Sequence, residues 1–341
     1  MITTSPTEFL EAYAALAPLP DGAATARAAY LVAPSEFVLA AESARDNPYM
    51  NMSATIDPLK ALAQHNALAQ ALRADCPVIT FPGNPATPDA VFPNNVFATA
   101  PGRFIVGRMR HAVRQREAER TDIRDFFGDV LGYDEIDLSG CDDLVAELTG
   151  SLIIDRARGV GYCGLSERCD MAGAHAMHKA FGLRLTFCFE LAESEYHTNV
   201  VLTLLASRAL IIAADGFRDP AVPRAIATAY GDRAIWLTPA QKQAFIANAI
   251  ALCRSGSIRY LPLAFCRPTT MSLMIFSGSS VFGLSFARMV RSLNRAEASP
   301  ITGRLVRSFQ PPQPNSVMMR PFGFSSRAVR IKFSSASSVW A

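Results

Sequence analysis

The chain has 341 residues, of which 50% are hydrophobic, 18% charged and 9% aromatic, and this composition excludes an intrinsically disordered chain and a fibrous repeat. Its seven cysteines are odd in number and scattered, which excludes the dense disulfide framework of a small secreted scaffold and favours a reducing compartment. The N-terminal MITTSPTEFLEAY lacks the basic region of a secretory signal, and no apolar run is long enough to span a bilayer. We therefore predict a cytoplasmic protein.

The formal net charge of +3 is unevenly distributed along the chain. Residues 251–341 contain one acid, Glu297, against twelve bases and 17 serines. An average sequence of this length would carry many more acids. The composition therefore indicates that this part differs from the rest of the chain. We predict a catalytic domain over residues 1–252 and a basic, Ser- and Arg-rich segment over residues 253–341.

The first predicted elements are two strands around a helix. The strands are Tyr30–Ala33 and Pro77–Phe81, and the helix is Pro58–Asp75, in which Leu59, Leu62 and Leu72 are predicted to share an apolar stripe.

A repeated ββαβ unit follows three times. Each copy has a hairpin, a helix and a strand, and the hairpins start near residues 97, 151 and 200. The predicted hairpins are Val96–Met109, Ser151–Leu165 and Asn199–Ala213, the helices Arg114–Phe127, Arg168–Phe181 and Pro220–Tyr230, and the strands Tyr133–Leu138, Leu183–Phe189 and Arg233–Leu237. Three units at a period of about 50 residues favour a closed or propeller-like α/β array over a doubly wound sheet.

A further unit starts regularly and then loses its pattern. Thr238-Pro239-Ala240-Gln241 is a capping box that predicts a helix to about Leu252. A fourth hairpin around Arg254–Ser257 would follow, but the next residues, PTTMSLMIFSGSS, do not resemble a helix. The last module is therefore predicted to be incomplete or aberrant.

Polar clusters precede the three hairpins at equivalent positions: DAVFPNN, AELTG and EYHTN. Equivalent positions in a rotationally symmetric array converge on its axis, so these clusters are predicted to meet in one pocket. Any one of them, taken alone, also fits an ordinary turn. The residues predicted to meet are Asp89, Asn95, Glu147, His197 and Asn199.

These motifs resemble the guanidino-modifying superfamily, which includes arginine deiminases, dimethylarginine hydrolases, amidinotransferases and citrulline hydrolases. The motifs are FPNN at 92–95, ELTGS at 147–151, SER at 166–168 and YHTN at 196–199. The resemblance extends over about residues 30–252 and implies a pentein fold, an α/β propeller of five modules. It also implies a cofactor-free enzyme acting on a non-peptide C–N bond.

The resemblance assigns roles to individual residues. It implies that His197 is the general acid and base and that Glu147 orients it. It implies that Arg114 and Arg168 hold the substrate carboxylate and that Asp89 binds the amino-acid end. The alternative for either arginine is a solvated charge at the start of a helix.

Two asparagines distinguish this chain from the arginine deiminases it resembles. Asn95 and Asn199 stand where those enzymes use aspartates to bind a cationic guanidinium. An amide offers both donors and an acceptor, so it complements a neutral ureido group, whereas a buried carboxylate facing a ureido oxygen would be unpaired. The sequence therefore favours a citrulline-like substrate over arginine.

The cysteine nucleophile that the family implies is not identifiable. It would lie near the C-terminus after a glycine-rich segment, and Cys266 is the one substitute considered. Either residues 253–341 come from a shifted reading frame or truncated gene, or they form a genuine basic tail. The first explanation is favoured because Phe, Met and Leu alternate with Arg without helical or strand order. In the alternative function, the chain is an inactive binding protein for a citrulline- or arginine-like ligand.

Other motifs point to no additional chemistry. Cys163, Cys169, His175 and His178 do not have the spacing of a zinc site, and no phosphate loop, dinucleotide fingerprint or serine nucleophile elbow is present. We expect no metal and no cofactor, a small amino-acid substrate, no nucleic-acid or membrane partner, and leave a homo-oligomer open.

Overall fold

The computed structural model describes the backbone of residues 1–17, 19, 24–254, 257–262 and 276–278, and side chains as far as residue 252. Cys266 and most of the predicted 253–341 segment therefore lie outside the described residues. In the part of the chain that is described, every helix is too short or too polar to cross a bilayer.

The structure alternates short strands and helices. The strands are β1 (Ile2–Thr3), β2 (Ala29–Val32), β3 (Val78–Phe81), β4 (Phe97–Ala100), β5 (Arg103–Val106), β6 (Asp134–Asp137), β7 (Leu152–Asp155), β8 (Val160–Leu165), β9 (Leu185–Glu190), β10 (Leu202–Leu205), β11 (Ala209–Ala213), β12 (Ala234–Leu237), β13 (Ala249–Arg254), β14 (Ser257–Pro262) and β15 (Phe276–Gly278). The α-helices are α1 (Pro6–Ala14), α2 (Pro58–Arg73), α3 (Ala112–Gln115), α4 (Thr121–Asp125), α5 (Leu148–Ser151), α6 (Met171–Ala180), α7 (Thr198–Val201), α8 (Ala221–Tyr230) and α9 (Pro239–Gln243).

Three sheets repeat one strand order, and each corresponds to one predicted ββαβ unit. In every unit the first two strands pair antiparallel, and the third pairs in parallel with the second after a helical connection. The sheets are β4-β5-β6, β7-β8-β9 and β10-β11-β12. The prediction of three such units is confirmed at the level of each sheet.

The first hairpin shows why the sequence folds this way locally. Pro101-Gly102 separates β4 from β5, and Gly102 has a φ of 69°, a left-handed conformation that favours glycine. Phe104 on β5 lies with its ring 4.5 Å from that of Phe127 and 5.4 Å from that of Phe97. These buried rings form the core beneath the first sheet.

The helical connection of this first unit differs from the prediction of one continuous helix over 114–127. It consists of α3, a 3-10 turn at Arg116–Glu119, α4 and a π turn at Phe126–Val130. Arg120 has ψ at 92° between the 3-10 turn and α4. This extended residue interrupts the helical hydrogen-bond ladder, so the single-helix prediction is wrong here.

As predicted, α2 lies between two strands in sequence, β2 and β3. The structure shows that these two strands pair in parallel. Asp57 caps α2, since its side chain accepts hydrogen bonds from the backbone of Leu59 and Lys60. Leu59 itself is 79% exposed, so its predicted place in the apolar stripe is wrong. Leu72 is buried against β2 and β3, as predicted, together with Leu68.

The fourth hairpin is present as β13 and β14, which pair antiparallel. The predicted capping box of α9 is also confirmed, because Thr238 and Gln241 exchange both hydrogen bonds. However, α9 ends at Gln243 and not near residue 252. Phe245 has a φ of 56°, which ends the helical path, and its ring packs 4.8 Å from that of Tyr49.

The N-terminal residues form two elements that were not predicted. β1 pairs in parallel with β9 and adds a fourth strand to the second sheet. Phe9 on α1 has no exposed surface, and its ring stacks 4.6 Å from that of Phe187 on β9. The N-terminal segment is therefore part of the core of the second unit.

We expect Phe9→Ala to lower the free energy of unfolding by about 3–5 kcal/mol, because it removes a fully buried ring and leaves a cavity. Urea denaturation followed by circular dichroism measures this change. The matched control is Leu59→Ala, which truncates an exposed side chain and should change stability by less than about 0.5 kcal/mol. Equal effects of the two substitutions would contradict the packing described for α1.

Candidate active site

The three polar clusters reach one cavity of about 350 Å³. Short helical turns place them: Asn95 ends a 3-10 turn before β4, and Glu147 and His197 immediately precede α5 and α7. Of the residues predicted for the site, those that line the cavity are Asp89, Asn95, Arg114, Arg168, His197 and Asn199. Glu147 lies directly behind them, in contact with His197.

The buried pair of His197 and Glu147 is the centre of the site. Nε2 of His197 lies 2.8 Å from Oε2 of Glu147, and the two residues are 2% and 0% exposed. The Glu147 carboxylate also accepts hydrogen bonds from the backbone NH of Arg110 at 3.2 Å and from Nη1 of Arg168 at 3.2 and 3.3 Å. Three groups therefore hold the Glu147 carboxylate in one position and stabilise its negative charge.

These contacts set the protonation of the pair. Burial by itself would raise the pKa of Glu147, but the His197 hydrogen bond and the charges of Arg168, His197 and Arg114 outweigh it and lower the pKa to about 2. For His197, burial is the largest effect and lowers the pKa below 6.5 against the opposing influence of Glu147. An ionised Glu147 only accepts hydrogen bonds, so Nε2 donates and Nδ1 of the neutral ring is the basic atom.

Gly150 allows the clusters of the first and third units to approach each other. A Cβ at this position would lie 2.6 Å from Oδ1 of Asn95 and 2.9 Å from Nε2 of His197, which no real contact allows. Oδ1 of Asn95 also accepts a hydrogen bond from Nδ2 of Asn94 at 2.9 Å. The amide of Asn95 is therefore held beside the imidazole.

Arg114 and Arg168 are 3% and 2% exposed, so the alternative of solvated helix-start charges is wrong for both. Arg114 binds the carboxylate of Glu117 through Nε and Nη2, each at 2.9 Å, and its Nη2 also donates to the carbonyls of Asp89 and Phe92. Burial raises the pKa of Glu117 to about 7 even though Arg114 opposes the shift.

Arg168 precedes α6, whose N-cap is Asp170, and all three of its guanidinium nitrogens donate hydrogen bonds. Nε and Nη2 bind the two carboxylate oxygens of Asp46, each at 2.6 Å. Nη1 binds Glu147, and Nη2 also donates to the carbonyl of Ser43 at 3.0 Å. The predicted role of Arg168 in binding a ligand, like the roles of the other predicted site residues, remains a prediction.

Sequence reasoning missed the residues between β2 and α2, here called the 33–57 segment. Ser43, Asn47 and Tyr49 of this segment line the cavity, and Asp46 binds Arg168. A connection of this length with one 3-10 turn, at Ser43–Arg45, is itself a signal, because long irregular loops in a domain are often functional.

Apolar residues form another wall of the cavity. They come from β2, α2, β13 and the 33–57 segment, namely Leu31, Phe37, Ile56, Leu68, Leu72, Ile250 and Leu252. A cavity with convergent polar groups on one side and an apolar wall is typical of small-molecule sites.

Among the residues with described side chains, no cysteine lines the cavity. Five described cysteines are free thiols: Cys76, Cys141, Cys163, Cys169 and Cys188. Sγ of Cys163 lies 3.6 Å from Sγ of Cys169 in the core of the second unit. In the same described part, no group of three or more His, Cys, Asp or Glu side chains is placed to hold a metal ion.

The lowered pKa of Glu147 predicts an acid-sensitive contribution to stability. A carboxylate whose pKa drops from 4.5 to about 2 on folding stabilises the protein above pH 4.5, and this contribution is lost as the pH falls towards 2. The stability lost from this carboxylate between pH 6 and pH 3 is roughly 2 kcal/mol. We expect the unfolding free energy of Glu147→Gln to fall less over this interval than that of the original chain.

Chemical denaturation at the two pH values measures this difference. Glu119→Gln, at an exposed position, is the matched control and should retain the original pH dependence. An unaltered pH dependence in Glu147→Gln would show that the carboxylate is not held in its ionised form.

Comparison with solved structures identifies enzymes of similar fold. The chain superimposes on ArgZ, an arginine dihydrolase from the ornithine-ammonia cycle in cyanobacteria, with a TM-score of 0.57 and 19% identity over 65% of this chain and 33% of that chain. A complex of AgrE with L-arginine gives a TM-score of 0.55 and 20% identity over 65% and 32% of the two chains. This chain thus matches about a third of the length of either protein.

A dimethylarginine dimethylaminohydrolase, in an adduct with S-methyl-L-thiocitrulline, gives a TM-score of 0.50 and 21% identity over 65% of this chain and 79% of that chain. None of the curated proteins matches the chain. The family model of the eukaryotic N,N dimethylarginine dimethylhydrolases matches residues 33–272. Because that match covers more than half of the sequence, the chain belongs to this family, within the pentein superfamily of guanidino-modifying proteins.

Proposed function

We propose that this chain has the site of a hydrolase for the C–N bond of a ureido or guanidino amino acid. The observation that carries the proposal is the buried pair of His197 and Glu147, held beside the amide of Asn95 at one cavity. Membership in a family of dimethylarginine hydrolases supports the same class of substrate. The proposal includes a propeller arrangement of the ββαβ units, which membership in the pentein superfamily supports.

His197 moves protons in the proposed reaction. A neutral imidazole with a free basic nitrogen accepts a proton, and the adjacent Glu147 carboxylate stabilises the imidazolium that forms. In the mechanism implied for this family, a cysteine thiolate adds to the ureido or guanidino carbon. The amine then leaves with a proton from the imidazolium, and water cleaves the covalent intermediate.

The amide groups of the cavity favour a neutral ligand end. Asn95 and Asn199 line the cavity where a cationic guanidinium would be served better by carboxylates. A ureido group instead donates to an amide oxygen and accepts from an amide NH₂. We therefore propose citrulline, or a related ureido amino acid, as the preferred ligand over arginine.

One observation favours a second function, the binding of the same ligand without turnover. Cys76, Cys141, Cys163, Cys169 and Cys188 all lie away from the cavity lining, so the described residues hold the acid–base pair and the binding groups but no nucleophile. Cys266 lies outside the described residues and remains the proposed substitute.

Ammonia release from citrulline and arginine separates the two functions. We expect a hydrolase to release ammonia from citrulline, and we expect His197→Ala to slow that release by about 100-fold or more because the leaving amine loses its proton donor. Intact mass of the same sample shows whether residues 253–341 are present as written. Citrulline binding with the matching mass and no ammonia would favour the binding protein.

The choice of ligand is tested by Asn95→Asp. A buried carboxylate at this position would pair with a guanidinium and oppose a ureido oxygen, so we expect the ratio of citrulline to arginine affinity to fall by about tenfold or more. Isothermal titration calorimetry measures both affinities. Asn66→Asp, at an exposed position on α2 that does not line the cavity, is the control, and a similar fall there would show that net charge and not position determines the preference.

A further inference from the structure

The 33–57 segment occupies two of the three groups assigned to the amino-acid end of a ligand, Arg168 and Asp89, whereas the third, Arg114, binds Glu117. Asp46 binds the fork of Arg168 through Nε and Nη2, each at 2.6 Å. Ser43, three residues earlier, donates its hydroxyl hydrogen bond to Oδ2 of Asp89. A carboxylate on the arginine and a hydrogen-bond donor on the aspartate are the same two partners that an amino-acid head would present, as an α-carboxylate and an α-ammonium group.

These contacts occupy the fork of Arg168 that an incoming carboxylate would use. Nε and Nη2, the two nitrogens of this fork, bind Asp46, while Nη2 also donates to the carbonyl of Ser43 and Nη1 binds Glu147. Arg168 nevertheless lines the cavity. A ligand carboxylate can therefore reach its fork only by replacing one of the present partners.

Asp46 is the partner that can be replaced. Its side chain is 17% exposed, whereas that of Glu147 is 0% exposed, so Asp46 can be rehydrated at lower cost than Glu147. Asp46 also belongs to a segment whose regular structure is limited to one 3-10 turn. Asp46 has one further side-chain partner, Nε2 of His111 at 3.1 Å, whereas Glu147 is held by both a backbone NH and His197.

From this geometry, and resting on the proposed function, we propose that Ser43 and Asp46 form an internal mimic of the amino-acid head. A ligand binds by exchanging its α-carboxylate for Asp46 on Arg168 and its α-ammonium group for Ser43 on Asp89. For each ligand, the observed association constant is then the intrinsic one multiplied by the fraction of molecules in which the contacts that this ligand replaces are open. Asp46 and Ser43 thereby lower the affinity of a ligand once for each head group that has to replace one of them.

The proposal is tested with two ligands that differ by one group. Citrulline has the α-carboxylate, and carbamoylputrescine is the same molecule without it but with the amine retained. Asp46→Asn keeps the shape of the side chain and removes its charge, so we expect it to tighten citrulline binding by about fivefold or more. Carbamoylputrescine does not compete with Asp46, so its affinity should not increase.

Ser43→Ala provides an independent variant with a different expected pattern. Both ligands carry the amine that competes with Ser43, so the loss of its hydroxyl should tighten both by similar factors. Asp122→Asn is the matched control, because Asp122 accepts from the fork of Arg120 at 2.7 and 2.7 Å but does not line the cavity. Neither affinity should change in this control.

Isothermal titration calorimetry on the full-length chain gives the affinities, with His197→Ala as the background if citrulline is turned over. If the original chain binds citrulline and Asp46→Asn weakens or does not alter that binding, Asp46 merely orients Arg168 and the mimic is refuted. Equal tightening of both ligands by Asp46→Asn would also refute it. Absence of citrulline and arginine binding in every variant would instead refute the proposed function, and the mimic with it.

Discussion

An ionised carboxylate without access to water, Glu147, is the constraint on which the site depends. Removing a carboxylate from water costs several kcal/mol, and only well-placed donors offset that cost. Here the donors are Nε2 of His197, the backbone NH of Arg110 and the guanidinium of Arg168. The orientation of His197 and its tautomer follow from this arrangement. Any change that withdraws Arg168 would leave the charge undercompensated and the imidazole without its partner.

This dependence extends outwards through Arg168 to the 33–57 segment. Arg168 binds both the buried carboxylate of Glu147 and the carboxylate of Asp46, whose side chain is 17% exposed. Nε2 of His111 lies 3.1 Å from Oδ1 of the same Asp46. Two negative groups thus share one cation. The cation remains compensated while the outer carboxylate is exchanged, provided that another carboxylate takes its place. In the proposed exchange, this condition is met by a ligand that carries a carboxylate.

Local sequence patterns were sufficient for much of the fold. Neighbouring residues alone determine the capping box of α9, the turn at Pro101-Gly102 and the polar clusters before the hairpins. Because the unit repeats, the sequence also predicted that these clusters meet, without information on distant contacts. Gly150 illustrates what such patterns do not contain. Its absent Cβ matters because Asn95 and His197 approach it from two other units.

The errors share a physical cause, which is dependence on contacts distant in sequence. Periodicity indicated that α2 is a helix, but it did not define the face that packs inwards. Leu59 was therefore wrongly assigned to the apolar stripe. The left-handed backbone of Phe245 ends α9 while its ring packs on Tyr49, and nothing adjacent in sequence indicates that partner. The 33–57 segment has no period at all, and the partners of Ser43 and Asp46 are Asp89 and Arg168, which are distant in sequence.

The pairing of β1 with β9 has a consequence for the order in which the chain folds. Ile2 and Thr3 lie opposite Thr186 and Phe187, so one edge of the second sheet is formed by residues that lie far from their partners in sequence. These residues have no strand partner until β9 has been synthesised. Contacts of such sequence separation form late and slow the folding of a domain. Phe9 on α1 likewise lacks its stacking partner, Phe187, until β9 has been synthesised.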